Sequence, residues 1–134
     1  MRLIALALAL ATASFAVAAP QSASPFRQND INQIIAAVLT HKDVAMYLHP
    51  EAPGRVPVKI DLHAPYSGVP VDLVLYGKPV KVIASADAIN LAITPTAEGV
   101  TVRVSYSPEG MAGTILMTKA SNQWTAMRAS IYEQ

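Results

Sequence analysis

"INLAITPTAEGVTVRVSYS", Ile89 to Ser107, decides the fold. Val100, Val102, Val104 and Tyr106 alternate with Thr101, Arg103, Ser105 and Ser107, the period-two pattern of a strand with one buried and one wet face. The half before it reads as a partner strand, with Glu98-Gly99 near the reversal. Downstream, Ala112 to Thr118 reads as the next strand and turns through "KASNQ" into "WTAMRASIY". Upstream, "VDLVLYGKPVKVIAS" reads as two strands around Tyr76-Gly77-Lys78-Pro79, whose glycine allows positive φ. Before that, "RVPVKIDLHA" puts Val56, Val58, Ile60 and Leu62 on one face and Pro57, Lys59, Asp61 and His63 on the other. Consecutive hairpins predict an antiparallel meander, because parallel strands need crossovers of a dozen or more residues and this reading leaves none.

The period changes to 3.6 at the other end of the chain. In "NDINQIIAAVLTHKDVAMYLHP", Ile31, Ile34, Ile35 and Val38 recur at helical spacing, with Asn29 or Asp30 placed to cap the start. The apolar stripe loses phase between Thr40 and Asp43, so Asp43 opens a second short helix carrying Val44, Tyr47 and Leu48 and ending near Pro50. "HPEAPGRVP" is too rich in proline and glycine to be anything but a connector. The expected fold is α+β: an N-terminal helix, or two short ones, packed on a curled, roughly six-stranded antiparallel meander. Hairpin order fits an open sheet and a closed barrel alike.

Helix-then-meander order across residues 30 to 133 resembles cystatin-like and nuclear-transport-factor-2-like domains. The latter carry more helical sequence before the sheet, and no shared motif transfers a functional residue.

Residues 1–19 read as an address rather than a structural element. Arg2, the apolar run Leu3 to Ala11 and the small-residue zone Ala16-Val17-Ala18-Ala19 have the three-part layout of a secretory signal peptide. Cleavage after Ala19 leaves 115 residues of the 134, a polar leader over residues 20–29, and one domain over residues 30–134. It also removes Arg2 and leaves nine basic and nine acidic side chains. No basic cluster supplies the footprint of a nucleic-acid binder or of a membrane-recruited protein. The absence of cysteine excludes disulfides, thiol catalysis and a lipid-modified cysteine, and there is no Asn-x-Ser/Thr acceptor. These features point to a bacterial protein exported to a Gram-negative periplasm, with no membrane anchor after cleavage.

Catalytic and cofactor motifs are missing from the sequence. No H-E-x-x-H, G-x-S-x-G, G-x-G-x-x-G or carboxylate-rich calcium loop occurs, so neither metal nor cofactor is expected. Asp61 and His63 share one strand face and form an alternative polar site; with Lys59 beside them they equally describe a solvated surface. His49 and Glu51 offer an acid–base pair, or a helix end stopped by Pro50. Gly113 inside a strand marks a bulge or a close backbone approach. Met111, Met117 and Met127 form a flexible apolar set, either core filler or groove.

By elimination the expectation is a non-enzymatic protein-binding domain of inhibitor or immunity type, whose partner is another periplasmic or incoming protein, or a second copy of the chain. Arg103, Trp124, Arg128 and Tyr132, taken as alternating strand positions, are its expected contact surface. The alternatives are a small-molecule binder with an apolar pocket lined by Ile35, Leu39, Met117 and Trp124, and a small hydrolase or isomerase using Asp61–His63 or His49–Glu51.

Overall fold

The computed structural model describes residues 26–134; the expected signal peptide and residues 20–25 of the leader lie outside that range. Helix α1, Gln28–Thr40, begins inside the stretch read as leader. Its cap differs from the expectation: Arg27 is the capping residue, and Asp30, in the first turn, accepts the Arg27 backbone N–H at 3.1 Å. Ile31, Ile34, Ile35, Val38 and Leu39 fall on one side and are buried, each worth about 1.5–3 kcal/mol of transfer free energy. At His41 the chain becomes extended, and its Nδ1 accepts the Asp43 N–H to start α2, Lys42–Ala45. Val44 and Leu48 then bury beside α1.

The strands are β1 (Lys59–Leu62), β2 (Val74–Leu75), β3 (Lys78–Pro79), β4 (Lys81–Val82), β5 (Ile89–Pro95), β6 (Val100–Tyr106), β7 (Met111–Ala120) and β8 (Gln123–Glu133). Six of them form one sheet in the order β4-β1-β5-β6-β7-β8, while β2 and β3 form a separate two-stranded hairpin. The second half is the expected antiparallel meander, with Val102 opposite Ile93 and Ile115. The β7–β8 hairpin turns on Ser121 and Asn122, both at positive φ as a two-residue loop of this hand requires.

The first half corrects the all-antiparallel expectation. β1 lies parallel to both its neighbours, pairing Ile60 with Ile89 of β5 and with Val82 of β4, so the sheet is mixed. The physical reason is the length of residues 63–88. This segment exceeds the dozen residues a parallel crossover needs; it carries the β2–β3 hairpin outside the sheet and lays β4 along the free side of β1.

Val58, Ile60, Leu62, Ile89, Leu91, Ile93, Val100, Val102, Val104, Ile115 and Met117 project from one sheet face onto α1 and form one hydrophobic core with its stripe. Gly113 sits in β7 because the neighbouring backbone is too close for anything larger. A Cβ there would overlap the Ser130 carbonyl and stand 2.8 Å from Ile131 Cα. No helix among the described residues is long and apolar enough to cross a membrane.

Candidate outer-face groove

The wet side of the sheet is where the polar half of each alternating strand collects. Register places these residues in rows. Asn90 of β5 stands opposite Ser105 of β6, Ser105 opposite Ala112 of β7, and Ala112 opposite Tyr132 of β8. The next row runs Ala92, Arg103, Thr114, Ser130, and a third runs Thr94, Thr101, Leu116, Arg128. Apart from Arg103, the side chains between the ends of the first two rows are small, and His63 and Tyr132 stand at opposite ends. The result is an open groove of about 560 Å³ whose lining includes His63, Asn90, Arg103, Ser105, Thr114, Ser130, Tyr132 and Gln134. No aspartate or glutamate lines it. Among the described residues neither Arg103 nor Arg128 has an ion-pair partner.

Three of the four expected contact residues share this face: Arg103 and Tyr132 line the groove, and Arg128 lies one row beyond. Trp124 does not. Leu116 pairs with Arg128 but Met117 pairs with Ala126, so Met127 is an extra residue that inverts the alternation of β8. Trp124 therefore points to the core side, where it is 8% exposed and donates its indole N–H to Asp30 Oδ1 at 3.0 Å. Lys119 Nζ reaches the same oxygen at 2.8 Å. These bonds from Lys119 and then Trp124 hold the Asp30 carboxyl below its ordinary pKa against the opposing effect of burial. Phe26 packs edge-on against Trp124 at 5.6 Å between ring centroids, so the start of the helix, β7 and β8 are joined at this point.

Asp61 lies in β1 and His63 one residue past its end, and Asn90 is the residue that engages the imidazole. His63 Nε2 lies 3.2 Å from Asn90 Oδ1, and Asp61 pairs with Asn90 in the parallel register. His63 thus belongs to the groove, which brings the two expected polar sets to one surface.

His49 belongs elsewhere. Its Nδ1 lies 3.3 Å from Glu51 Oε1 and its Nε2 lies 3.8 Å from Glu109 Oε2. Arg55 joins them, donating to Glu109 Oε1 at 2.6 Å and to the Tyr106 hydroxyl at 3.0 Å. The hollow beside Arg55 and Tyr106 measures about 10 Å³, room for no more than a water. This network ties the connector after α2 to the turn between β6 and β7.

Ile35, Leu39, Met117 and Trp124, expected to line an apolar pocket, are all core side chains. Met111 and Met117 are buried with them, whereas Met127 is 63% exposed at the bulge. Among the described residues no three His, Cys, Asp or Glu side chains are grouped to hold a metal ion.

Sequence reasoning missed Asn90, Ser105, Thr114 and Ser130 as groove residues, although strand alternation already placed each opposite the apolar face. It also missed Asp30 as the buried acceptor of Trp124, for which the sequence holds no signal beyond an acid in a helix's first turn. No protein-family model, curated protein or solved structure matches the chain.

Proposed function

We propose that this chain is an exported, non-enzymatic protein-binding domain of inhibitor or immunity type, acting in the periplasm once residues 1–19 are removed, and that the outer sheet face is its contact surface. The observation that carries the reading is the gathering of Arg103, Arg128 and Tyr132 on one solvent-facing surface around an open groove. Tyr132 is 52% exposed, and aromatic–arginine groupings of this kind anchor protein interfaces. The edge of β8 is a poorer candidate for strand addition, because the bulge at Met127 interrupts its ladder.

The test is native mass spectrometry on the tagged mature protein, recovered gently from the periplasm of its own host, beside the Arg128→Ala/Tyr132→Ala double variant. A stoichiometric second protein with the wild type, reduced at least about tenfold with the variant, supports the reading. Recovery of the bare domain, of the domain with only a few hundred daltons added, or of a partner that the variant retains equally well, refutes it. A doubled mass would make the partner a second copy of this chain.

A further inference from the structure

We propose that the groove seats an extended acidic segment of about four residues, with a carboxylate held by Arg103. The proposal rests on the protein-binding reading above and names the chemistry of the partner.

Charge is the first argument. A guanidinium presents a planar fork of donors that matches a carboxylate's two oxygens. Arg103 offers this fork without an ion-pair partner among the described residues, in a groove lined by no aspartate or glutamate. Asp61 lies beyond Asn90 at the His63 end. It leaves Arg103 uncompensated and disfavours a second negative charge at that end. The occupant's charge therefore belongs on the Arg103 side.

Dimensions are the second argument. From Asn90 to Tyr132 the groove crosses three strand intervals, about 14 Å, which an extended chain covers in about four residues. Asn90, Ser105, Thr114 and Ser130 line that path with amide and hydroxyl groups that both donate and accept, the chemistry that peptide N–H and C=O groups need. Tyr132 supplies one apolar wall.

Shape is the third. Small-molecule sites enclose most of their ligand's surface, whereas this groove lies open on a sheet face and exposes whatever occupies it. That arrangement suits a segment belonging to a larger protein, whose remaining surface continues onto Arg128.

The experiment is NMR titration of the isotope-labelled mature chain, reading backbone amides and the Arg103 Nε–H. The probes are acetyl-tetraglutamate amide, acetyl-tetraglutamine amide, free glutamate and glucuronate. Tetraglutamate is expected to shift Arg103 and the amides of Ser105, Thr114 and Ser130, and tetraglutamine to shift none of them. Arg103→Gln, an exposed change that should leave the spectrum dispersed, is expected to weaken tetraglutamate at least about tenfold, with Arg103→Lys between the two. Four results would overturn the proposal: no perturbation by tetraglutamate, equal binding of tetraglutamine, indifference to Arg103→Gln, or monomeric acids binding as tightly as the peptide.

Failure here is separable from failure of the broader reading. A partner captured through Arg128 and Tyr132 while tetraglutamate does nothing refutes only the acidic occupant. Tetraglutamate binding with no captured partner refutes only the protein-binding domain.

Discussion

Replacing Asp30 with alanine tests how the helix is fastened to the sheet. Three donors lose their acceptor: Lys119 Nζ, Trp124 Nε1 and the Arg27 N–H. Their costs differ because their surroundings differ. Trp124 Nε1 belongs to a buried side chain, and stranding it costs about 1–3 kcal/mol. Lys119 has a side chain 41% exposed, returns to water, and accounts for at most about 1 kcal/mol. The Arg27 N–H, at the helix N-cap, adds about 0.5–1 kcal/mol. The expected loss is about 3 kcal/mol, which lowers the melting temperature by roughly 12 °C or more in a domain of this size. Urea unfolding followed by far-UV circular dichroism measures it. Asp30→Ala in a Trp124→Phe background should cost at least about 1 kcal/mol less than in the wild type, since no indole N–H is then stranded. A loss under about 0.5 kcal/mol, or a double variant that is strictly additive, would refute the assignment of Asp30 as the fastening point.

The same carboxylate sets an acid limit. Bonds from Lys119 and then Trp124 lower its folded pKa below the ordinary 3.8. Its contribution is therefore complete above that unfolded value and disappears as pH falls through it toward the folded pKa. Wild-type stability should decline below about pH 5 with a component missing from Asp30→Ala. Identical acid profiles of the two proteins would contradict this. Asp87, held at about 2 chiefly by Lys59 and then Ser85, is present in both proteins, so it cannot produce this difference.

Two further variants probe the packing. Gly113→Ala drives a Cβ into the Ser130 carbonyl and Ile131, so the β7–β8 pairing must open; a loss above about 3 kcal/mol in urea unfolding is expected, and a loss below 1 would mean that the strands part easily. Tyr66→Phe removes a buried hydroxyl without a hydrogen-bond partner among the described residues and should be neutral or stabilising by up to about 1 kcal/mol. Destabilisation beyond 1 kcal/mol in the same assay would show that the hydroxyl is engaged.

Legibility in the sequence followed the range of the interaction. The α1 stripe and the alternation of Val100 to Tyr106 are local consequences of backbone period, and both appear as written. Alternation reports which face a side chain takes and says nothing about which strand lies alongside. The parallel seating of β1 between β4 and β5 was invisible for that reason. Arg103 could be assigned to the wet face because β6 runs without interruption. Trp124 could not, because its face depends on a bulge at Met127, and Ala126-Met127-Arg128 contains no glycine to announce one.

That bulge also explains how one strand serves two purposes. On a regular β8, Trp124, Arg128 and Tyr132 would all face the same way, and either the indole would leave Asp30 or the arginine and tyrosine would turn toward the core. Inserting Met127 lets the first half of the strand close the core with Trp124 while the second half presents Arg128 and Tyr132 to solvent. The opposing strand supports the division. Met117 and Ile115 bury beneath it, while Ala112 and Thr114 stay small on the outer side, so Tyr132 stands as a wall above a low floor. Stability is thus concentrated on one side of the sheet, in the core and the Asp30 fastening. Among the described residues, Arg103, Arg128 and Tyr132 on the other side make no ion pair and belong to no part of the core. Exposed changes there should therefore report on binding with little cost to folding, and this is what makes the groove and partner tests interpretable.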